Sequence, residues 1–159
     1  MYAEFREYVT RIKLFSGSGV VGFTTPSAFG AIFIKVPPIN QPMAYFLEHL
    51  VHEFGHLRLN VLMAHDRLLE NDDSERYTSP IRPDPRPLFQ VLHAVYVLSQ
   101  VVRVFRRVVA RGAPPEFAEL LTEFEQQFED GLKTILDHGR MTERGRVLVD
   151  SLRVCVDGA

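Results

Sequence analysis

The chain has 159 residues, a net charge of −2, and an ordinary globular balance of 46% hydrophobic and 24% charged residues. That length fits one domain able to bury a sizeable core. No basic run and no Arg/Lys stripe interleaved with aromatics is present, which excludes a nucleic-acid binder.

The single cysteine, Cys155, has no partner for an internal disulfide or a thiolate metal site, so a reducing cytoplasm is the natural compartment. The N-terminus, "MYAEFREYVTRIK", is charged and lacks the apolar core of a signal peptide. No apolar run approaches the length needed to span a bilayer. The expectation is a cytoplasmic protein with no membrane contact.

Residues 1–38 read as strands. "YVTRIKLF" alternates and is rich in β-branched and aromatic residues; "GSG" breaks it; "VVGFT" and then "AIFIKV" follow. Two or three short strands joined by Gly/Pro/Ser turns predict a small antiparallel sheet. "FGAIFIKV" is its most apolar strand and should pack on the next element. Residues 40–70 read as one long helix, capped by Asn40 or Gln41, with Pro42 in its first turn. Its apolar residues, including Phe46, Leu50, Phe54, Leu57 and Leu68, recur at helical spacing. Residues 71–87 form a polar, proline-rich connection, and loops of that length are functional or disordered. Residues 86–159 are helical: one segment from Pro87 to Gly112, a second from the prolines to Gly139, and a short last one with Thr142 as N-cap. The expected fold is α+β, mainly α, with the sheet packed on a four-helix core.

The chemistry begins at "HEFGH". Residues four apart on a helix lie on one face, so His52 and His56 can direct both imidazoles at one metal ion. Glu53 is turned roughly 100° from His52 and sits beside the metal, where it can act on a bound water. The plainer reading, a polar surface helix, fits poorly because the flanks "FLEHLV" and "LRLNVLM" are apolar. His49 and His65 are expected to face solvent or to be satisfied by local hydrogen bonds.

Two histidines leave a catalytic site incomplete, since zinc and non-haem iron sites take three protein ligands. The metzincin pattern fails: Leu59 stands where its glycine belongs and Val61-Leu62 where its third histidine would be. Glu116, Glu119, Glu123 and Glu125 look like a solvated acidic face. His93, in the apolar "FQVLHAVYVLSQ", is the better candidate. The plainer alternative makes His93, Tyr96, Gln100, Arg103 and Arg107 simply that helix's polar edge. Just before it, "SPIRPDPRPL" sets Arg82 and Arg86 on a chain stiffened by four prolines. Arg grips carboxylates through two parallel hydrogen bonds. The loop either presents that grip to a carboxylate near the metal or is a rigid linker whose arginines pair with Asp84 and the "ENDDSE" stretch.

Taken together, the "HEFGH" helix and "SPIRPDPRPLFQVLHAVYV" resemble the HExxH-motif proteins of ribosomally synthesised, post-translationally modified peptide pathways. The resemblance covers roughly residues 28–152. It implies an iron(II)- and 2-oxoglutarate-dependent oxygenase that uses O2 to hydroxylate a β-carbon of a precursor peptide, on a zincin-like core. It implies His52, His56 and His93 as metal ligands, Arg82 or Arg86 on 2-oxoglutarate, and Glu53 as a supporting residue. Asn60 and Tyr96, each one turn from a ligand, would orient ligand or co-substrate. The alternative is a zinc metallopeptidase with Glu53 as general base. A helical binding module with a structural HExxH ranks last, because two histidines and a glutamate are costly to bury unpaired.

Overall fold

The computed structural model describes residues 2–37 and 43–157. The expected caps Asn40 and Gln41, with Pro42, lie outside them. The chain is α+β and mainly helical, with a three-stranded sheet near the N-terminus. In chain order come α1 (Tyr2–Tyr8), β1 (Arg11–Phe15), β2 (Gly22–Phe23), a 3-10 turn, β3 (Ala31–Lys35), α2 (Met43–Met63), α3 (Leu88–Val109), α4 (Pro115–His138) and α5 (Glu143–Asp157).

Three expectations change. The residues before the first strand form α1, so the strand begins at Arg11, and the described helices number five. The sheet is mixed: β3 lies in the middle, parallel to β1 and antiparallel to β2. The "HEFGH" helix ends at Met63, and His65 and Leu68 fall in the turn that follows. Asp66 closes that turn, its carboxylate accepting from the Leu68 amide at 2.7 Å and the Thr142 hydroxyl at 2.8 Å. Thr142 caps α5 as expected, accepting from the Gly145 amide at 3.0 Å.

β3 packs on α2 as its apolar run predicts: Ile32 and Ile34 are fully buried with Phe54 and Leu57 of α2. The larger core lies on the other side of α2. Its axis is α3, whose Leu92, Val95, Val97 and Phe105 are all fully buried. α3 also corrects the reading of apolar length. It is long and apolar enough to cross a membrane by length and composition, yet 72% of its apolar window is buried inside this fold. Its apolar faces are covered by neighbouring elements, and its polar residues Gln90 and Arg107 stay exposed.

The proline loop is built rather than loose. Tyr77 and Arg86 exchange backbone hydrogen bonds at 2.9 Å. Buried Asn71 donates to the His138 carbonyl at 3.0 Å and accepts from the Arg140 amide at 2.8 Å, tying the loop's start to the end of α4. Pro80 docks at Gly131 of α4, where an added Cβ would lie 2.8 Å from the proline ring and 2.6 Å from Val95. The absence of a side chain at residue 131 makes the seat.

Candidate functional site

The sheet, α2, α3 and the proline loop meet around His52. The helical spacing brings His52 and His56 together: their Nε2 atoms are 3.2 Å apart and their ring centres 4.9 Å. Two donors on one ion, each about 2.1 Å from it, stand roughly 3.0–3.4 Å apart. This pair therefore has the spacing of two ligands of a shared ion.

His93 approaches His56 from α3, at the ring nitrogen that does not face His52. Its ring centre is 5.7 Å from that of His56, and the two Nδ1 atoms face each other at 3.5 Å. Imidazoles sharing an ion keep their centres roughly 4.5–6 Å apart, so the ring spacing suits a third ligand. Its nitrogens are turned otherwise: Nε2 lies 2.9 Å from the Met63 sulfur. As the side chains stand, no trio of His, Cys, Asp or Glu among the described residues closes on one point. The described side chains offer an ion one facing pair, and His93 faces the other ring nitrogen of His56. Burial pushes His52 down to about 3 and His56 down to about 4, each reinforced by a neighbouring histidine, and it lowers His93 as well. All three are neutral at physiological pH, the form that binds metal.

Glu53 is 3% exposed and turns toward β2. A Cβ on Gly22 would sit 2.8 Å from its Oε1, so the sheet edge is shaped around this carboxyl. Its Oε2 is buried without a hydrogen-bond partner among the described residues. Loss of hydration pushes it up to about 7.

Arg82 and Arg86 both line a cavity of ≈ 280 Å³ with His52, His56 and His93. The two differ. Arg86 is half-buried and ion-paired with Asp84 at 2.7 Å, and it also donates to Gln90 at 3.4 Å. Arg82 is exposed and makes no ion pair or hydrogen bond with a described residue. Three adjoining cavities open here, and His52 and Arg82 are the residues common to all three. Asn60 lines one of them beside His56 and Glu53, as expected from its place one turn further along α2. Tyr96 does not stand on the cavity wall; it is 3% exposed in the core cluster of α3. His49 behaves as expected, bonded through Nδ1 to the Tyr45 carbonyl at 2.8 Å, and His65 is exposed.

Sequence reading missed two contributors. Met63 completes a stripe with His52, His56 and Asn60, and its offset of eleven residues from His52, about three turns, was the available signal. Gly22, Phe23 and Thr24 of the β2 edge line the site, and nothing in their local pattern announces it. A separate groove of ≈ 660 Å³ beside α5, lined by Leu62, Leu68 and Val147, shares none of these residues. No family model matches the chain, and no curated protein matches it.

Proposed function

We propose that the chain is an iron(II)- and 2-oxoglutarate-dependent oxygenase that hydroxylates a β-carbon in a ribosomally made peptide. The observation that carries this reading is Arg82, a guanidinium that pairs with no described residue and opens onto the same cavities as His52. A co-substrate with two carboxylates calls for a cation beside its metal, and Arg82 stands where it could supply one. The resemblance of "HEFGH" and "SPIRPDPRPLFQVLHAVYV" to the peptide-modifying HExxH proteins points the same way.

In this reading His52 and His56 hold the ion, and His93 completes the set. When bound, iron with 2-oxoglutarate supplies the oxidant that delivers one atom of O2 to the substrate carbon. The protein's own part is positioning. Arg82 takes a carboxylate of 2-oxoglutarate, and Arg86, already held by Asp84, keeps the loop in register. Phe89 and Ala94 give the cavity an apolar wall that thins the water around the reacting carbon.

Anaerobic titration with iron(II), then 2-oxoglutarate, is expected to give a metal-to-ligand charge-transfer band. Adding O2 and a substrate peptide is expected to release succinate and add one oxygen to the peptide. His52→Ala and His56→Ala should abolish iron binding. Absence of the band, together with full iron retention in His93→Ala, would refute the assignment.

The second reading is a zinc peptidase, favoured by Glu53, whose buried carboxyl lies next in sequence to His52 and is pushed up to about 7. It requires zinc on isolation and peptide cleavage that Glu53→Gln abolishes.

A further inference from the structure

β3, the apolar strand, is enclosed by β1 and β2 and has no free edge. The open edge away from the histidines belongs to β1. β1 and β3 are parallel, with Ile12 beside Ile32 and Leu14 beside Ile34. In a parallel ladder alternate residues bond to the neighbour, and those between turn their N–H and C=O the other way. The Arg11 amide donates to the Gly30 carbonyl at 3.2 Å, and the Phe15 carbonyl accepts from the Val36 amide at 2.8 Å. Arg11, Lys13 and Phe15 therefore spend their backbone groups on β3. Ile12 and Leu14 turn theirs to the open edge, where no described strand pairs with them.

The side chains sort as cleanly. Ile12 and Leu14 share a face with Ile32 and Ile34, which are fully buried, yet they are themselves 46% and 58% exposed. α2 covers β3 and leaves β1 overhanging. Arg11 and Lys13 occupy the opposite face and are exposed. One open edge thus offers four backbone groups, an apolar ledge and a cationic ledge.

We propose that β1 docks an extended acidic peptide as a fourth strand, with apolar residues beside Ile12 and Leu14 and carboxylates beside Arg11 and Lys13. Strand addition draws affinity from main-chain hydrogen bonds and specificity from alternate side chains. A second copy of this chain is the poorer occupant. Antiparallel pairing with Ile12 opposite Leu14 or Ile12 sets Lys13 against Lys13 or Arg11 of the other copy, and like charges directly opposite are destabilising. Only the register with Leu14 opposite Leu14 avoids this, by setting Lys13 against Phe15, whereas an acidic strand meets opposite charge in every register. This surface is on the far side of the sheet from β2, which lines the histidine site, and the proposal stands independently of the reaction there.

The test uses the full chain and two short synthetic peptides, one alternating glutamate with valine and one alternating lysine with valine. Fluorescence anisotropy is expected to show binding of the glutamate peptide, with the lysine peptide weaker by about tenfold or more. Amide exchange is expected to slow at Ile12 and Leu14 on binding. The double variant Arg11→Glu with Lys13→Glu, both at exposed positions, should invert the preference. If that variant fails to fold, the exchange footprint on the unmodified chain decides alone. No binding at millimolar peptide, equal binding of both peptides, or protection elsewhere than Ile12 and Leu14 would overturn the proposal.

Discussion

Arg82 and Arg86 stand in one proline frame and do different work. Arg86 pairs with Asp84, though its buried Nε has no partner among the described residues, and Arg82 pairs with no described residue. Arg82→Gln should raise the KM for 2-oxoglutarate roughly tenfold to a hundredfold, the worth of one charge-assisted pair. Arg86→Gln should move that KM less and lower thermal stability instead. Steady-state succinate release beside a melting curve separates the two. At this scale the spacing made the His52–His56 pair legible, because four residues along a helix is a geometric statement. It misled at Tyr96. One turn from His93 is nominally the same face of a helix, but three residues fall about 60° short of a full turn, which takes Tyr96 from the cavity wall into the core.

Whole elements were legible where apolar period and punctuation agreed. α3, α4 and α5 follow their proline, glycine and threonine signals, and β3 meets α2 through Ile32 and Ile34. Strand order was not legible, because local alternation says nothing about which strand takes the middle. The proline loop also exceeded its sequence. Its rigidity could be read from four prolines, but its seat lies on Gly131, some fifty residues away. Gly131→Ala forces a methyl against Val95 and the Pro80 ring and should cost about 1–3 kcal/mol by overpacking. The displaced loop carries Arg82, so 2-oxoglutarate affinity should fall with stability. Chemical denaturation and co-substrate titration on the same variant check both.

Across the molecule, one polar knot joins parts that the sequence keeps apart. Asn71 donates to Tyr77, Glu75 and the His138 carbonyl, and Glu75 also accepts from Arg140 at 2.8 Å. Asn71→Ala should cost about 1 kcal/mol, the net worth of the hydrogen bonds this buried amide makes to half-buried and exposed partners, read as a lower denaturation midpoint. Glu75 is held down to about 2 by the Tyr77 hydroxyl, Arg140 and Asn71, in that order. A carboxylate depressed on folding adds stability above its ordinary value of 4.5 and loses it as pH falls toward about 2. Thermal midpoints should therefore drop across that acid window, and less steeply in Glu75→Gln. The same knot orders the making of the protein. α2 leaves the ribosome early with both its histidines. The segment that carries Arg82 is pinned by His138 and Arg140, more than eighty residues further along the chain than His52 and His56. Synthesis thus completes the helix of His52 and His56 well before it completes the anchorage of the Arg82 loop, and a nascent chain stalled before residue 138 carries the first without the second.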